Sequence, residues 1–137
     1  MQSLTIVHEL NKPQIDQLVD LYKKMWWSKE RTKDEVLTLL KTSVSFGLIH
    51  DATQELIGYA RVLTDEIKYA FIFDVMLQEH MRGKGLGKAL IEAIVAHPKL
   101  KRITRFELTC VPELVSFYEQ FGFSENYGKV RAMRLSK

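Results

Sequence analysis

The sequence contains one cysteine in 137 residues, Cys110. A lone cysteine forms no internal disulfide and offers no pair with metal-ligand spacing, which excludes a disulfide scaffold and a zinc module and suits a reducing compartment. No metal site is expected. No stretch approaches the roughly 18 consecutive apolar residues of a membrane span, and Met1-Gln-Ser-Leu-Thr lacks the basic-then-apolar form of a signal peptide. A cytoplasmic protein without a membrane partner is expected. Repeats, low-complexity tracts and interdomain linkers are also missing, so residues 1–137 read as a single domain. The hydrophobic share of 46% and charged share of 27% are ordinary globular values and support one core. Charge is nearly balanced, at a net +3. The basic residues Lys99, Lys101, Arg102 and Arg105 raise a nucleic-acid-binding reading. A solvated helix end and strand start explains them better, a ligand carrying several phosphates favours the same net charge, and no nucleic-acid partner is expected.

Periodicity sets out the elements. Leu4–Glu9 is a short strand, and Asn11-Lys-Pro13 supplies the cap and first turn of a helix with apolar residues at Ile15, Leu18, Val19, Tyr22, Met25 and Trp26. Thr32-Lys-Asp-Glu35 is a capping box that opens a second helix through Val36, Leu37 and Leu40. Ser45–Asp51 and Leu56–Thr64 read as strands of a hairpin, and Tyr69–Leu77, apolar at nearly every position, as a central strand covered on both faces. Gly85–His97 is a crossover helix, Ile103–Cys110 a fifth strand, Pro112–Phe121 a fourth helix and Val130–Leu135 a last strand.

Between the central strand and the crossover helix lies Arg82-Gly-Lys-Gly-Leu-Gly87. Glycines at 83, 85 and 87 let backbone N–H groups approach a ligand, and the helix behind them presents partial positive charge at its N-terminus. Phosphate fits such a loop, with Arg82 and Lys88 to complement its charge. Two familiar nucleotide loops fail on register. A P-loop requires glycine five residues after the first, where Gly83 finds Lys88, and Lys88 is followed by Ala89 rather than Ser or Thr. A dinucleotide fingerprint requires a third glycine where the chain has Lys88 or Leu90.

What remains is Arg82-x-x-Gly85-x-Gly87, which resembles the pyrophosphate-binding loop of the GNAT N-acetyltransferase superfamily. Asp74-Val-Met-Leu77 resembles the end of that family's fourth strand, and Phe117-Tyr118-Glu119-Gln120-Phe121-Gly122-Phe123 its tyrosine-bearing helix and Gly-Phe turn. The match runs from Ile57 to Phe123; earlier residues agree in the order of elements. The resemblance implies an α/β (α+β) fold of order β-α-α-β-β-β-α-β-α-β, with a mixed, mostly antiparallel sheet of about six to seven strands and four helices. It implies acetyl-CoA as cosubstrate, held by Arg82, Gly83, Lys84, Gly85, Leu86, Gly87 and Lys88 at its phosphates and by the backbone of Val75, Met76 and Leu77 along its pantetheine arm. It also implies a homodimer option through C-terminal strands such as Val130–Leu135. One departure stands out: many members begin the fourth helix with Asn, where this chain has Val111-Pro112.

Tyr118 shares a helical stripe with Leu114, Phe117 and Phe121, so periodicity alone makes it a core aromatic; the resemblance makes it the acid that protonates the departing thiolate. A phenol of pKa about 10 stays protonated at neutral pH and suits that task. Asp74 lies inside an apolar strand, where a carboxylate is costly to bury. It is either the base that deprotonates the amine, a role that a water chain could fill instead, or a structural carboxylate hydrogen-bonded to a neighbouring loop or to Tyr side chains. Trp26 and Trp27 are adjacent, so one helical stripe cannot take both. Trp26 continues the apolar face; Trp27, at the helix end, either walls an acceptor pocket between the first two helices or packs under the second helix. A single short domain favours a small primary amine or amino-acid-like metabolite as acceptor, with protein termini and lysines left open. A non-catalytic acyl-CoA-binding regulator is the alternative, with a nucleic-acid-binding module behind it.

Overall fold

The computed structural model describes residues 3–137. Asn11 and Thr32 each close a reciprocal capping box, with Gln14 and Glu35 respectively, and so start α1 (Lys12–Lys23) and α2 (Lys33–Thr42). These follow β1 (Leu4–Val7) and precede three antiparallel strands, β2 (Val44–His50), β3 (Leu56–Thr64) and β4 (Tyr69–Leu77). The crossover helix α3 (Leu86–Ala96) leads to β5 (Arg105–Glu107) and α4 (Val115–Glu119). The five strands lie in sequence order, and β5 alone pairs in parallel.

The sheet separates two cores. On one face Leu18, Val19 and Tyr22 of α1 and Val36 of α2 pack on Ile49, Tyr59 and Met76; on the other Leu90, Ile91 and Ile94 of α3 and Tyr118 of α4 pack on Ile57, Val62 and Ile72. Each fully buried aliphatic side chain contributes about 2 kcal/mol, which holds both layers against one sheet.

Two features of β4 set its geometry apart from the other strands. Its pairing with β3 runs Arg61↔Phe73 and then Tyr59↔Met76, so Asp74 and Val75 together oppose Ala60. This is a β-bulge, and Asp74 takes a left-handed φ of 56° to make it. β5 pairs only from Tyr69↔Arg105 to Phe71↔Glu107, so the two strands diverge and Ile72–Leu77 keep one edge open.

The expectation of six to seven strands is corrected to five. The fifth strand, expected over Ile103–Cys110, shrinks to Arg105–Glu107 because β4 veers away and withdraws the partner. Val130–Leu135 is no strand: it pairs with no other segment among the described residues, and Met133 is 95% exposed. Composition made it strand-like, but a strand without a ladder partner leaves its backbone to water. The fourth helix is a 3₁₀ turn, Pro112–Leu114, followed by the five residues of α4. Trp26 does not continue the apolar face. α1 ends at Lys23, the chain turns away, and Trp26 stands 73% exposed.

Candidate active site

The glycine loop is built by left-handed backbone. Gly83 (φ 76°) and Gly85 (φ 77°) adopt a conformation that side chains resist, and Gly85 is the N-cap of α3. The first helical bond there runs from the Ala89 N–H to the Gly85 carbonyl at 3.3 Å. Among the described residues, the N–H groups from Gly83 through Lys88 have no acceptor in hydrogen-bonding geometry. They are presented to solvent with Arg82, Lys84 and Lys88, all exposed, around them. The result is a concentration of donors and positive charge at a helix N-terminus, suited to a phosphate-bearing ligand. Leu86 turns its side chain into the core, leaving only its backbone to the loop. Gly87 has a different reason to be glycine: a Cβ there would lie 3.1 Å from the Phe117 ring tip, so α3 packs tightly against the residue that precedes Tyr118.

The open edge of β4 begins beside this loop. Val75, Met76 and Leu77 point their side chains into the cores, which leaves backbone groups as what that edge offers. The bulge turns Asp74 to the α1 face. There its Oδ2 accepts from the Arg61 Nε at 2.6 Å, the Tyr22 hydroxyl at 2.7 Å and the Arg31 Nη1 at 3.4 Å. Arg61 also donates to the Ser43 hydroxyl at 3.3 Å and lies over the Phe73 ring. Burial, then the Asp74 charge, pushes the Tyr22 phenol well above its ordinary value, so it remains a donor to the carboxylate. Of the two roles open to Asp74, this geometry is that of the structural carboxylate. Asp74→Asn keeps a residue that tolerates left-handed φ but leaves the buried Arg61 without its anion. A loss of about 3 kcal/mol is expected, lowering Tm by on the order of 10 °C in calorimetry. A variant that kept its Tm and lost only turnover would restore the catalytic role.

Tyr118 is buried between Phe117 and Phe123, with ring centroids at 5.0 and 5.9 Å. Burial pushes its phenol up to about 12. Among the described residues its hydroxyl has no hydrogen-bond partner, although it is not sealed from solvent. Tyr118 borders an open groove of about 1250 Å³ between β5, α4 and the C-terminal segment, also lined by Leu108, Cys110, Phe123 and Tyr127. The lining takes in Tyr69 at the start of β4 but none of residues 75–88. Cys110 is exposed, and burial followed by the charge of Glu125 raises its thiol, which disfavours a reactive thiolate.

Trp27 is 39% exposed and meets the Tyr22 ring edge-on at 6.3 Å, beside the Asp74 cluster. It therefore stands over the α1 face of β4. The basic residues Lys99, Lys101, Arg102 and Arg105 are exposed and flank the turn between α3 and β5. The sequence allowed Asp74 a bond to a tyrosine without singling out Tyr22, and Arg31, Arg61 and Ser43 were not anticipated in its cluster. The available signal was Arg61, a lone charge in the otherwise apolar run Leu56–Leu63, which required a buried anion.

Comparison with known proteins agrees with this arrangement. Residues 13–123 match the family described as the acetyltransferase (GNAT) family. The chain is 31% identical over 126 residues to an uncharacterized N-acetyltransferase, ycf52, of Pyropia yezoensis, covering 90% of this chain and 71% of the relative. A solved structure from Xanthomonas campestris pv. campestris, assigned to the GNAT family, superposes with a TM-score of 0.77 at 28% identity, covering 90% of this chain and 86% of that one. An aminoglycoside N-acetyltransferase in complex with CoA shares the fold, with a TM-score of 0.68 at 16% identity over 100% of this chain and 95% of the other. Glycine loop, splayed strands and sequence together lead to one conclusion: this chain belongs to the acetyltransferase (GNAT) family.

Proposed function

We propose that the protein transfers the acetyl group of acetyl-CoA to a small primary amine by direct attack on the thioester. The observation that carries this reading is the run of unengaged N–H groups from Gly83 to Lys88 at the start of α3, beside the open edge of β4. Lys84, Lys88 and Arg82 supply charge for the phosphates. The edge from Val75 to Leu77 supplies backbone partners for an amide-bearing arm, as an added strand would use them. CoA in the aminoglycoside relative supports the choice of ligand.

The amine nitrogen bonds to the thioester carbon, the C–S bond breaks, and the thiolate leaves with its electron pair. Backbone N–H groups of β4 polarise the carbonyl, and Tyr118 donates its proton to the sulfur. The amine proton passes to water, since Asp74 is committed to its arginines. An alkylamine of pKa about 10.4 must first lose a proton, at a cost of about 4.6 kcal/mol at pH 7.

The pH dependence follows in sign. Activity rises with pH as the amine deprotonates, and an acid must be protonated to act, so Tyr118 imposes a falling limb only near its raised value of about 12. The kcat profile is therefore expected to climb to pH 10 without descending. A descent centred between pH 7 and 9 would remove Tyr118 from the acid role. Titration calorimetry with acetyl-CoA, followed by thiol release across an amine panel, tests the whole reading. A folded protein that does not bind acetyl-CoA would end it.

A further inference from the structure

The α1 face of β4 carries a cluster of charged groups that the acetyl-transfer step above does not use. Arg31 and Arg61 converge on the one carboxylate of Asp74, at 3.4 and 2.6 Å, and the Glu35 carboxylate interacts with Arg31 without forming an ion pair. The surroundings are aromatic. The guanidinium carbons of Arg31 and Arg61 lie 4.7 Å from the ring centres of Tyr22 and Phe73, and Phe71 stacks on Phe73 at 4.6 Å. Trp27 stands against Tyr22.

The two arginines are not equivalent. Arg61 is buried and held through Nε to Asp74 and Nη1 to Ser43. Arg31 keeps 25% of its side chain exposed, and its contact with Asp74 is long for a charge-assisted bond. A guanidinium has five N–H donors in a planar fork that matches a carboxylate. Among the described residues Arg31 uses one of them on another side chain. Its spare donors lie one aspartate side chain and one hydrogen bond from the β4 backbone, because the residue it touches sits in the bulge immediately before Val75. The same place is where an acceptor must stand if the thioester lies along that strand.

Resting on the acetyltransferase reading, we infer that the acceptor carries a carboxylate as well as its amine: an amino acid with an aromatic or large apolar side chain. Its carboxylate sits on the spare donors of Arg31, and its side chain lies against Trp27 and Phe73. Arg31 is a specificity-determining residue in this assignment.

The test compares phenylalanine with phenylalaninamide in thiol-release assays, with rates expressed per unprotonated amine. The two acceptors differ only in the carboxylate. Wild-type protein is expected to favour phenylalanine by roughly 10–100-fold in kcat/KM, the range of a hydrogen bond between charged groups. Arg31→Gln is expected to raise KM for phenylalanine by a similar factor at little change in kcat, and to move the amide's kcat/KM by less than about threefold. Arg31→Lys, which keeps the charge but not the fork, falls between. Acetyl-CoA affinity stays constant throughout, which reports that the variants are folded. Equal or better use of the amide by wild type, or equal loss for both acceptors in Arg31→Gln, overturns the inference while leaving acetyl transfer in place. Failure to bind acetyl-CoA, or to release thiol with any amine, overturns the acetyltransferase reading first and this one with it.

Discussion

Gly85→Glu is expected to abolish acetyl-CoA binding in a protein that still folds. At φ 77° the substitution incurs left-handed strain of about 1–2 kcal/mol, yet a Cβ at this position meets no heavy atom within 4 Å. Domain stabilities of about 5–15 kcal/mol absorb that strain. What the fold tolerates, the ligand does not. The new carboxylate enters the ring of N–H groups from Gly83 to Lys88, takes up donors and repels a pyrophosphate. At least a 100-fold weaker Kd is expected by calorimetry, about 2.7 kcal/mol. Gly85→Ala is the control, since it carries the same strain without charge. Should Gly85→Glu bind within threefold of wild type, the loop is not the phosphate site.

Tyr118→Phe is expected to lower kcat by about 10²- to 10³-fold with acetyl-CoA affinity nearly unchanged. Stability should hold, because the hydroxyl makes no hydrogen bond among the described residues and the ring keeps its contacts with Phe117 and Phe123. A drop in kcat and kcat/KM together would mark an interaction made in the transition state. Unchanged turnover would hand protonation of the thiolate to solvent. A protein that binds acetyl-CoA tightly and acetylates no amine, before or after this substitution, would be the acyl-CoA-binding regulator instead.

How far the fold could be read from sequence depended on how local its causes are. β3 and β4 have the bounds expected from their apolar runs, and the Thr32 capping box opens α2 where its four residues require. Such signals are complete within a few positions. β5 was overextended because its length is set by where β4 diverges, not by its own composition. Val130–Leu135 was misread for the same reason, since strand character is decided by a partner. Trp26 was misplaced because the apolar period continued after the helix had stopped. At the candidate site, the glycine loop was visible as spacing in six consecutive residues. The Arg31–Asp74 contact joins positions 43 apart, and the approach of Gly87 to Phe117 joins two helices. Neither leaves a periodic trace.

The bulge at Asp74 has an evolutionary consequence. Between Arg61↔Phe73 and Tyr59↔Met76, β4 carries one residue more than β3. Deleting that residue would restore an even ladder and exchange the faces of the residues on one side of it. Either Val75, Met76 and Leu77 would change cores, or everything before them would. Substitution along this stretch alters one contact at a time, whereas a change in length rewrites the strand's whole address. Descendants of this sequence are thus freer to vary the residues of β4 outside Asp74 than to change their number.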